Sequence, residues 1–542
     1  MPDVRRLRPM ISLLALALGG CMSTPALPPA APPAAITVAA GPAAAPESDP
    51  GAPPADTGFG VDGGIVVAST TTEIGIGPDI AYPDPLARKA LPAAAGRRPA
   101  GIEVGYLLLD LESGQPLAEL NPDLPLIPAS TAKLATALVA LDVLGPEHRY
   151  RTDVLTTGAV RDGTLEGDLV LRGGGDPSLD VADLLDLAVQ LRISGIQRIA
   201  GRFLIDDAAL PRLQEIEPRQ PLEAAYNPGI GALSLSFNRV RLAWQGGAGG
   251  GSMTIPPLHE ARFELVPPGL LPPGGVELKE VEPEAVVWRV ADRGYRQVAS
   301  LPVKDPGLHT AYVLRWLAAA QGLDLPPPER IWRTPFEAQL VAVHESAPLR
   351  HLLRDMLVYS NNMMAETIGL SAVQELGGAE SLDAAGHVLL DAVRRLIPEV
   401  DWRSADLGNH SGLDADARLT PRQLAAVVRH GWRTGTLPTL LPAGGWSGTL
   451  ARRFDEPEQA LRVWAKTGTL NYGSALAGYL LPESGRPAIF VTMVSDLAAR
   501  AAYDRLERPD RKADAQAASW NARASALQDD LVESWLLPLA DS

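Results

Sequence analysis

Two hydrophobic periods alternate along the chain once residue 100 is passed. "GIEVGYLLLDLESGQPLAEL" (101–120) is an apolar run, a polar turn and a second apolar run, which predicts a β-hairpin. A helical pattern follows, opening at Ser130 with apolar positions at Leu134, Leu138, Leu141 and Val143. From about 150 to 300 short strand-like runs dominate, with turns roughly ten residues apart: "RTDVLTTGAVRDGTLEGDLVLRGGGDPSL", "IQRIAGRFLIDDAAL", "ALSLSFNRVRLAWQ" and "AVVWRVADRG". Only 180–195 reads as helix there, and "GGAGGGS" (246–252) reads as a hairpin loop. Long helical patterns return from 306, strands follow in "LRVWAKTGTL", "SALAGYLL" and "RPAIFVTMVSD", and a last helix runs to about 537. The pattern predicts one mixed α/β domain built from 84–150 and 300–542, interrupted by a β-rich insertion over 151–299.

The first eighty residues have a different texture. A basic stretch (Arg5, Arg6, Arg8) precedes an apolar run from Met10 to Leu18, too short to span a bilayer, and then small residues. Leu18-Gly19-Gly20-Cys21 resembles the lipobox of bacterial lipoproteins, and Cys21 is the single cysteine of the chain. That resemblance implies a signal peptide over 1–20, lipidation of Cys21 and a periplasmic location. Met22, in place of the aspartate associated with inner-membrane retention, favours the outer membrane by the same analogy. Residues 22–56 are Pro/Ala-rich, without a period and poor in large apolar side chains, so they cannot offset their ordering entropy. Residues 57–80, where Gly and Thr mix into "GIVVASTTTEIGIG", are ambiguous and are read as linker, and 21–83 as a whole is expected to form a tether. One cysteine excludes a disulfide framework. A net charge of −16 argues against a nucleic-acid partner.

Composition changes the picture most through its lysines. Of 48 basic residues only six are lysine, yet one of them, Lys133, stands three residues after Ser130 at the mouth of the apolar helix. Arginine keeps its proton in proteins, whereas a desolvated lysine can lose one and serve as a base for a serine. Residues three apart on a helix are neighbours, so the amine can reach the hydroxyl. Many Ser-x-x-Lys pairs are merely solvated surface, and Ser360-Asn361-Asn362 by itself reads as a helix cap or turn. Lys466-Thr467-Gly468-Thr469 closes an apolar strand; its glycine lets another backbone approach closely, and an exposed strand can take a peptide by strand addition. "GGGDPSL" reads better as a strand-turn than as an anion site. His410 beside Ser411 raises a Ser–His pair for which the sequence shows no third partner. With no His-Glu-x-x-His and no cysteine cluster, nothing supports a metal site or a cofactor.

Ser-x-x-Lys, Ser-x-Asn and Lys-Thr-Gly in this order are the signatures of active-site-serine penicillin-recognising enzymes. The long gap between Lys133 and Ser360, with "PASTAKL", "YNPGIGALSLSFN", "RDMLVYSNNMMAE", "SGLDADARLTPRQL", "GWSGTLARRF" and "AKTGTLNY", resembles the class C low-molecular-mass penicillin-binding proteins of the penicillin-binding protein 4 type. These are D-alanyl-D-alanine carboxypeptidases/endopeptidases. The resemblance implies a β-lactamase/transpeptidase-like fold with the β-rich insertion between the first two motifs. It implies an acyl-enzyme mechanism on peptidoglycan stem peptides and cross-links, and acylation by β-lactams.

Carried over residue by residue, the resemblance implies that Ser130 is the nucleophile and Lys133 its base, with Ser360 relaying a proton to the leaving amine. Asn362 would bind the substrate's peptide group. Lys466 would hold Lys133 and Ser360 in a cationic network and favour the substrate's terminal carboxylate, which Thr467 would bind. Gly468 belongs to the same substrate-binding strand, and the N–H groups of Ser130 and Thr469 would form an oxyanion hole. A lipid anchor departs from the family's usual pattern. A β-lactamase-type hydrolase and a non-catalytic cell-wall scaffold are the competing readings; the long insertion argues against the first and the intact motif residues against the second.

Overall fold

The computed structural model describes residues 102–245, 252–258, 261–267, 270–271, 275–281, 286–293, 295–506 and 509–536. The expected signal peptide over 1–20, Cys21, the expected tether over 21–83 and residues 84–101 of the expected domain lie outside the described residues. A five-stranded antiparallel sheet carries the site, in the order Val463–Leu470, Gly473–Leu480, Ala488–Ser495, Glu103–Asp110, Pro116–Leu120. The last two strands are the hairpin expected from the sequence, turned at Gly114 with φ +72°.

This sheet is buried on both faces, which explains why its central strands read as continuous apolar runs rather than alternating ones. Successive side chains point to opposite faces. Leu107 and Leu109 join a helical core, whereas Val104, Tyr106 and Leu108 pack with Trp520, Leu531 and Trp535 of the C-terminal helix Arg511–Leu536. The helical core gathers Lys133–Val143, Leu349–Tyr359, Asn362–Glu375, Leu382–Leu396 and Pro421–Arg433. Lys133–Val143 runs through the middle of it, with every residue from Lys133 to Ala140 buried. A stretch buried on all sides has no solvent stripe, and this helix is walled by neighbours as far as Ala140.

The insertion forms a second, mixed five-stranded sheet, ordered Pro328–Ile331, Phe203–Asp206, Leu169–Gly173, Arg151–Thr156, Gln339–Glu345. Helices Val181–Ile193 and Pro306–Ala320 cover it through Leu184, Leu187, Leu191, Val313, Leu314 and Leu317. Two three-stranded sheets share a smaller core around Trp244 and Trp288. The strands flanking "GGAGGGS" pair antiparallel, while the loop itself lies outside the described residues apart from Ser252.

The expected boundary at 299/300 falls in the wrong place. The 306–320 helix and the strands over 328–331 and 339–345 complete the insertion's sheet and core, so the insertion extends to about residue 345. The physical reason is that an amphipathic period announces a helix without saying which sheet its apolar stripe will cover.

Trp535 is buried against Tyr106 and Phe490, with ring centroids 5.6 Å and 6.4 Å away. Trp535→Ala is expected to destabilise the fold by about 3–5 kcal/mol in urea unfolding, because the cavity it leaves lies between a sheet and a long helix. A loss below about 1 kcal/mol would mean that this helix is not part of the cooperative unit.

Candidate active site

Ser130 sits on a tight turn. Ala129 holds φ at +45°, a region that costs a residue with a β-carbon roughly 1–2 kcal/mol. The chain then makes one 3₁₀ turn, Ala129–Ala132, before the α-helix starts at Lys133 rather than at Ser130. In a 3₁₀ turn residues three apart eclipse, and this stacks the two side chains directly. Lys133 Nζ lies 2.9 Å from Ser130 Oγ, 2.7 Å from Asn362 Oδ1 and 2.8 Å from the carbonyl oxygen of Ser411.

The last two partners are acceptors only, so both require an amine hydrogen. An ammonium fills all three contacts by donating. A neutral amine still donates to Asn362 and Ser411 and turns its lone pair toward the Ser130 hydroxyl, which then donates to it. Burial lowers the Lys133 pKa to about 7, against the opposing pull of the Glu366 carboxylate. Both protonation states are therefore populated near neutral pH without orphaning a partner.

Ser360 and Asn362 come from a sharp junction between two helices. Ser360 ends Leu349–Tyr359 in the left-handed region at φ +54°, and Asn361 caps the next helix by accepting from the Met364 N–H. The polar triplet is thus a cap and a turn, as its local chemistry suggests, and the turn displays Ser360. Lys466 Nζ donates to Ser360 Oγ at 2.9 Å and to the Thr467 carbonyl at 2.7 Å. Burial lowers the Lys466 pKa well below its ordinary value, and the neighbouring charge of Lys133 adds to this. Lys466 thus touches Ser360 directly and Lys133 only through its charge. Asn362, expected to face the substrate, uses its carbonyl on Lys133 and donates from Nδ2 to the Tyr226 carbonyl at 3.0 Å. Tyr226 belongs to the insertion, which therefore reaches into the site.

The strand Val463–Leu470 is the sheet's edge. On its outer side Val463 O accepts from Gly444 and Ala465 N–H donates to Pro442. Outward backbone groups recur every second residue in an antiparallel strand, so Thr467 and Thr469 present theirs on the same open edge. A β-carbon at Gly468 would come 2.5 Å from Pro128 O and 3.1 Å from Ser130 N, so only glycine lets the edge lie against the Ser130 amide. The residue before Thr469 is thereby seated against the Ser130 amide. Thr467 Oγ1 meets Thr449 Oγ1 at 2.9 Å.

Four contributors escaped the sequence reading: Glu366, the Ser411 carbonyl, the Tyr226 carbonyl and Thr449. Glu366 is buried and accepts from His410 Nδ1 at 2.8 Å, from the His410 N–H at 3.0 Å and from the Ser411 N–H at 2.8 Å. Burial alone would raise its pKa; the hydrogen bonds from His410 and Ser411 outweigh that and hold it below the usual carboxylate range. Its spacing of four from Asn362 puts it on the same helix face, but only its burial, which the sequence does not show, sets it apart from a solvated glutamate. Glu366 is also the partner that His410 lacked in sequence, but no Ser–His pair results. Ser411 Oγ accepts from the Leu413 N–H, and the buried His410 Nε2 has no hydrogen-bond partner among the described residues. In "GGGDPSL", Asp176 accepts from the Ser178 N–H and hydroxyl and pairs with His344, so that turn is filled by its own carboxylate.

A serine facing a buried lysine amine beneath the open edge of a five-stranded antiparallel sheet defines a serine peptidase of the penicillin-recognising fold. The chain belongs to the D-Ala-D-Ala carboxypeptidase 3 (S13) family, whose model matches residues 88–261 and 288–516, and is a serine hydrolase of that class. It is 28% identical over 432 residues to the D-alanyl-D-alanine carboxypeptidase of Actinomadura sp. (strain R39), covering 72% of this chain and 77% of that one. It is 29% identical over 451 residues to the carboxypeptidase DacB of Mycolicibacterium smegmatis, covering 78% and 83%. Among solved structures, penicillin binding protein 4 (dacB) from Haemophilus influenzae shares the fold with a TM-score of 0.66 at 20% identity, over 80% of this chain and 99% of that one. The unmatched stretch 262–287 falls within one of the insertion's small sheets.

The lowered lysine pKa has a consequence for stability. Between about 7 and the ordinary lysine value the unfolded chain binds a proton at Lys133 that the folded chain does not, so stability rises with pH across that window. Below the window the cost of burying the charge is fully present. Native protein should therefore gain stability relative to Lys133→Met as pH rises from about 7 to about 9 in paired urea titrations. Parallel curves would contradict a lysine that titrates near neutrality.

Proposed function

We propose that this serine-type D-Ala-D-Ala carboxypeptidase works through an acyl-enzyme on Ser130, with Lys133 as the base. The observation that carries the reading is the Lys133 amine, whose two acceptor-only partners leave its third valence to Ser130 Oγ. Neutral Lys133 takes the hydroxyl proton as Oγ attacks the carbonyl of the penultimate D-alanine. Negative charge develops on that oxygen and is met by the amides of Ser130 and Thr469. One such donor contributes on the order of 3 kcal/mol to a transition state of this kind. Ser360, held by Lys466, passes a proton to the departing D-alanine amine. Lys466, Thr467 and Thr449 form the polar wall suited to the substrate's terminal carboxylate, and Gly468 keeps the strand close enough for both contacts. Water then hydrolyses the ester, regenerating Ser130 and freeing the shortened stem peptide.

The substrates in this reading are peptidoglycan stem peptides and D-alanyl-diaminopimelate cross-links, entering along the open edge of Val463–Leu470. β-Lactams acylate Ser130 in place of the substrate. The N-terminal pattern ending at Cys21 supports a lipid-anchored periplasmic enzyme, held at the outer membrane.

Intact-mass spectrometry with benzylpenicillin tests the chemistry. One stable adduct is expected on the native chain and none on Ser130→Ala, and native enzyme should release D-alanine from a pentapeptide ending in D-Ala-D-Ala. Rapid turnover of penicillin without an adduct would make the chain a β-lactamase, and neither adduct nor turnover would leave a scaffold. For the anchor, Cys21→Ala expressed in a Gram-negative host should lose radiolabelled palmitate and membrane association; retention of both would refute lipidation at that residue.

A further inference from the structure

We infer that Glu366 is a positioning residue for the base, setting the Ser411 carbonyl and the field in which Lys133 gives up and regains its proton. The inference rests on the reading of Lys133 as the base of Ser130.

The geometry begins with one helix, Asn362–Glu375. Asn362 and Glu366 are four residues apart and so share a face. Asn362 receives one Lys133 hydrogen directly. Glu366 governs the second acceptor indirectly, because its carboxylate takes the N–H groups of His410 and Ser411 and the His410 ring, and Ser411 then turns its carbonyl to Lys133 Nζ at 2.8 Å.

The 409–413 loop is wedged in place on its other sides. Thr136, nearly one turn beyond Lys133, donates to the His410 carbonyl at 2.7 Å. Gly412 holds φ at +72°, and a β-carbon there would come 2.0 Å from Ala129 O, the carbonyl just before Ser130. Gly369, on the helix of Glu366, leaves the slot that the His410 ring fills: a β-carbon would come 2.3 Å from that ring. His410 has no hydrogen-bond partner at Nε2 among the described residues, and its ring is held by Glu366 through Nδ1. Side chain, loop and nucleophile turn therefore form one tightly packed unit.

A buried carboxylate costs several kcal/mol unless donors compensate it, and three N–H groups do so here. A neutral amide would avoid that cost but has one acceptor oxygen, so its NH2 would face either the Ser411 N–H or the His410 donors. What the charge adds is its effect on Lys133, the cation that faces it from the neighbouring helix. His410 faces it from the loop, Lys466 lies on the far side of Lys133, and the helices Leu349–Tyr359 and Leu382–Leu396 contribute buried apolar side chains.

Acylation of the full chain by benzylpenicillin, followed by mass spectrometry from about pH 5.5 to about pH 9, separates charge from reach. Because the neutral amine is the base, the native rate should rise with pH through a midpoint near 7. Glu366→Gln removes the negative charge that favours the ammonium, so its midpoint should fall by on the order of one pH unit, with a plateau lowered about tenfold. Glu366→Asp keeps the charge but falls short of the Ser411 N–H, so it should keep the native midpoint on a lowered plateau. A Glu366→Gln profile with the native midpoint, or a Glu366→Asp profile displaced like that of Glu366→Gln, overturns the inference; if the glutamine variant does not fold, the aspartate variant decides it alone. Lys133→Ala serves as the control: if it acylates as the native chain does, the base reading itself fails, whereas an inactive control with an unmoved Glu366→Gln midpoint sinks only the role of Glu366.

Discussion

An ammonium group without water is the constraint around which this active site is arranged. Lys133 is fully buried in a helix whose other buried residues are apolar except for Thr136, and an unpaired charge there would cost several kcal/mol. The protein meets that cost with two fixed acceptors, Asn362 and the Ser411 carbonyl, and with a carboxylate one layer further in. The compensation is partial, which leaves the amine with a pKa of about 7 instead of a permanently charged one. A second buried lysine, Lys466 on the edge strand, is itself lowered, by burial first and then by the charge of Lys133. Arginine, the residue this chain uses for most of its positive charge, could not be brought to the same balance point.

Meeting that constraint requires segments far apart in sequence. The Ser130 turn comes from near residue 130, the Ser360 junction from between two helices, the acceptor loop from near residue 411, and the edge strand that lies against Ser130 from near residue 468. They are held by a sheet whose two faces are both packed, so the edge strand cannot shift without disturbing the core. Even the insertion takes part, since the Tyr226 carbonyl fixes the orientation of the Asn362 amide and with it the acceptor offered to Lys133. Membership in the D-Ala-D-Ala carboxypeptidase 3 (S13) family agrees with this assembly, the matched residues including every group named in it.

Several features of the fold were legible because local physics determines them. The hairpin over 103–120, the helix over 181–193 and the late strands each carry their own period and punctuation. Ser130 and Lys133 could be paired from spacing, and Ser360 could be recognised once three motifs stood in one order. The insertion's end was not legible: the 306–320 helix and the strands to 345 have ordinary patterns, and only contact with the second sheet assigns them to it. Glu366 was invisible for a related reason, because a glutamate in a helix reads as solvated surface until its neighbours are known.

The sequence by itself determined the chemical inventory and its order, since side-chain pKa ranges, helix spacing and strand alternation act within a few residues. It determined that a lysine rather than an arginine stands beside the serine, and that a glycine interrupts the edge strand. The tertiary structure alone decided what those residues meet. It turned Asn362 toward Lys133, set the Ser411 carbonyl under the amine, and enclosed Glu366 and His410 away from water. Burial and these hydrogen bonds depend on segments separated by 229 and 278 positions for Lys133 with Asn362 and Ser411, and no local pattern carries that information.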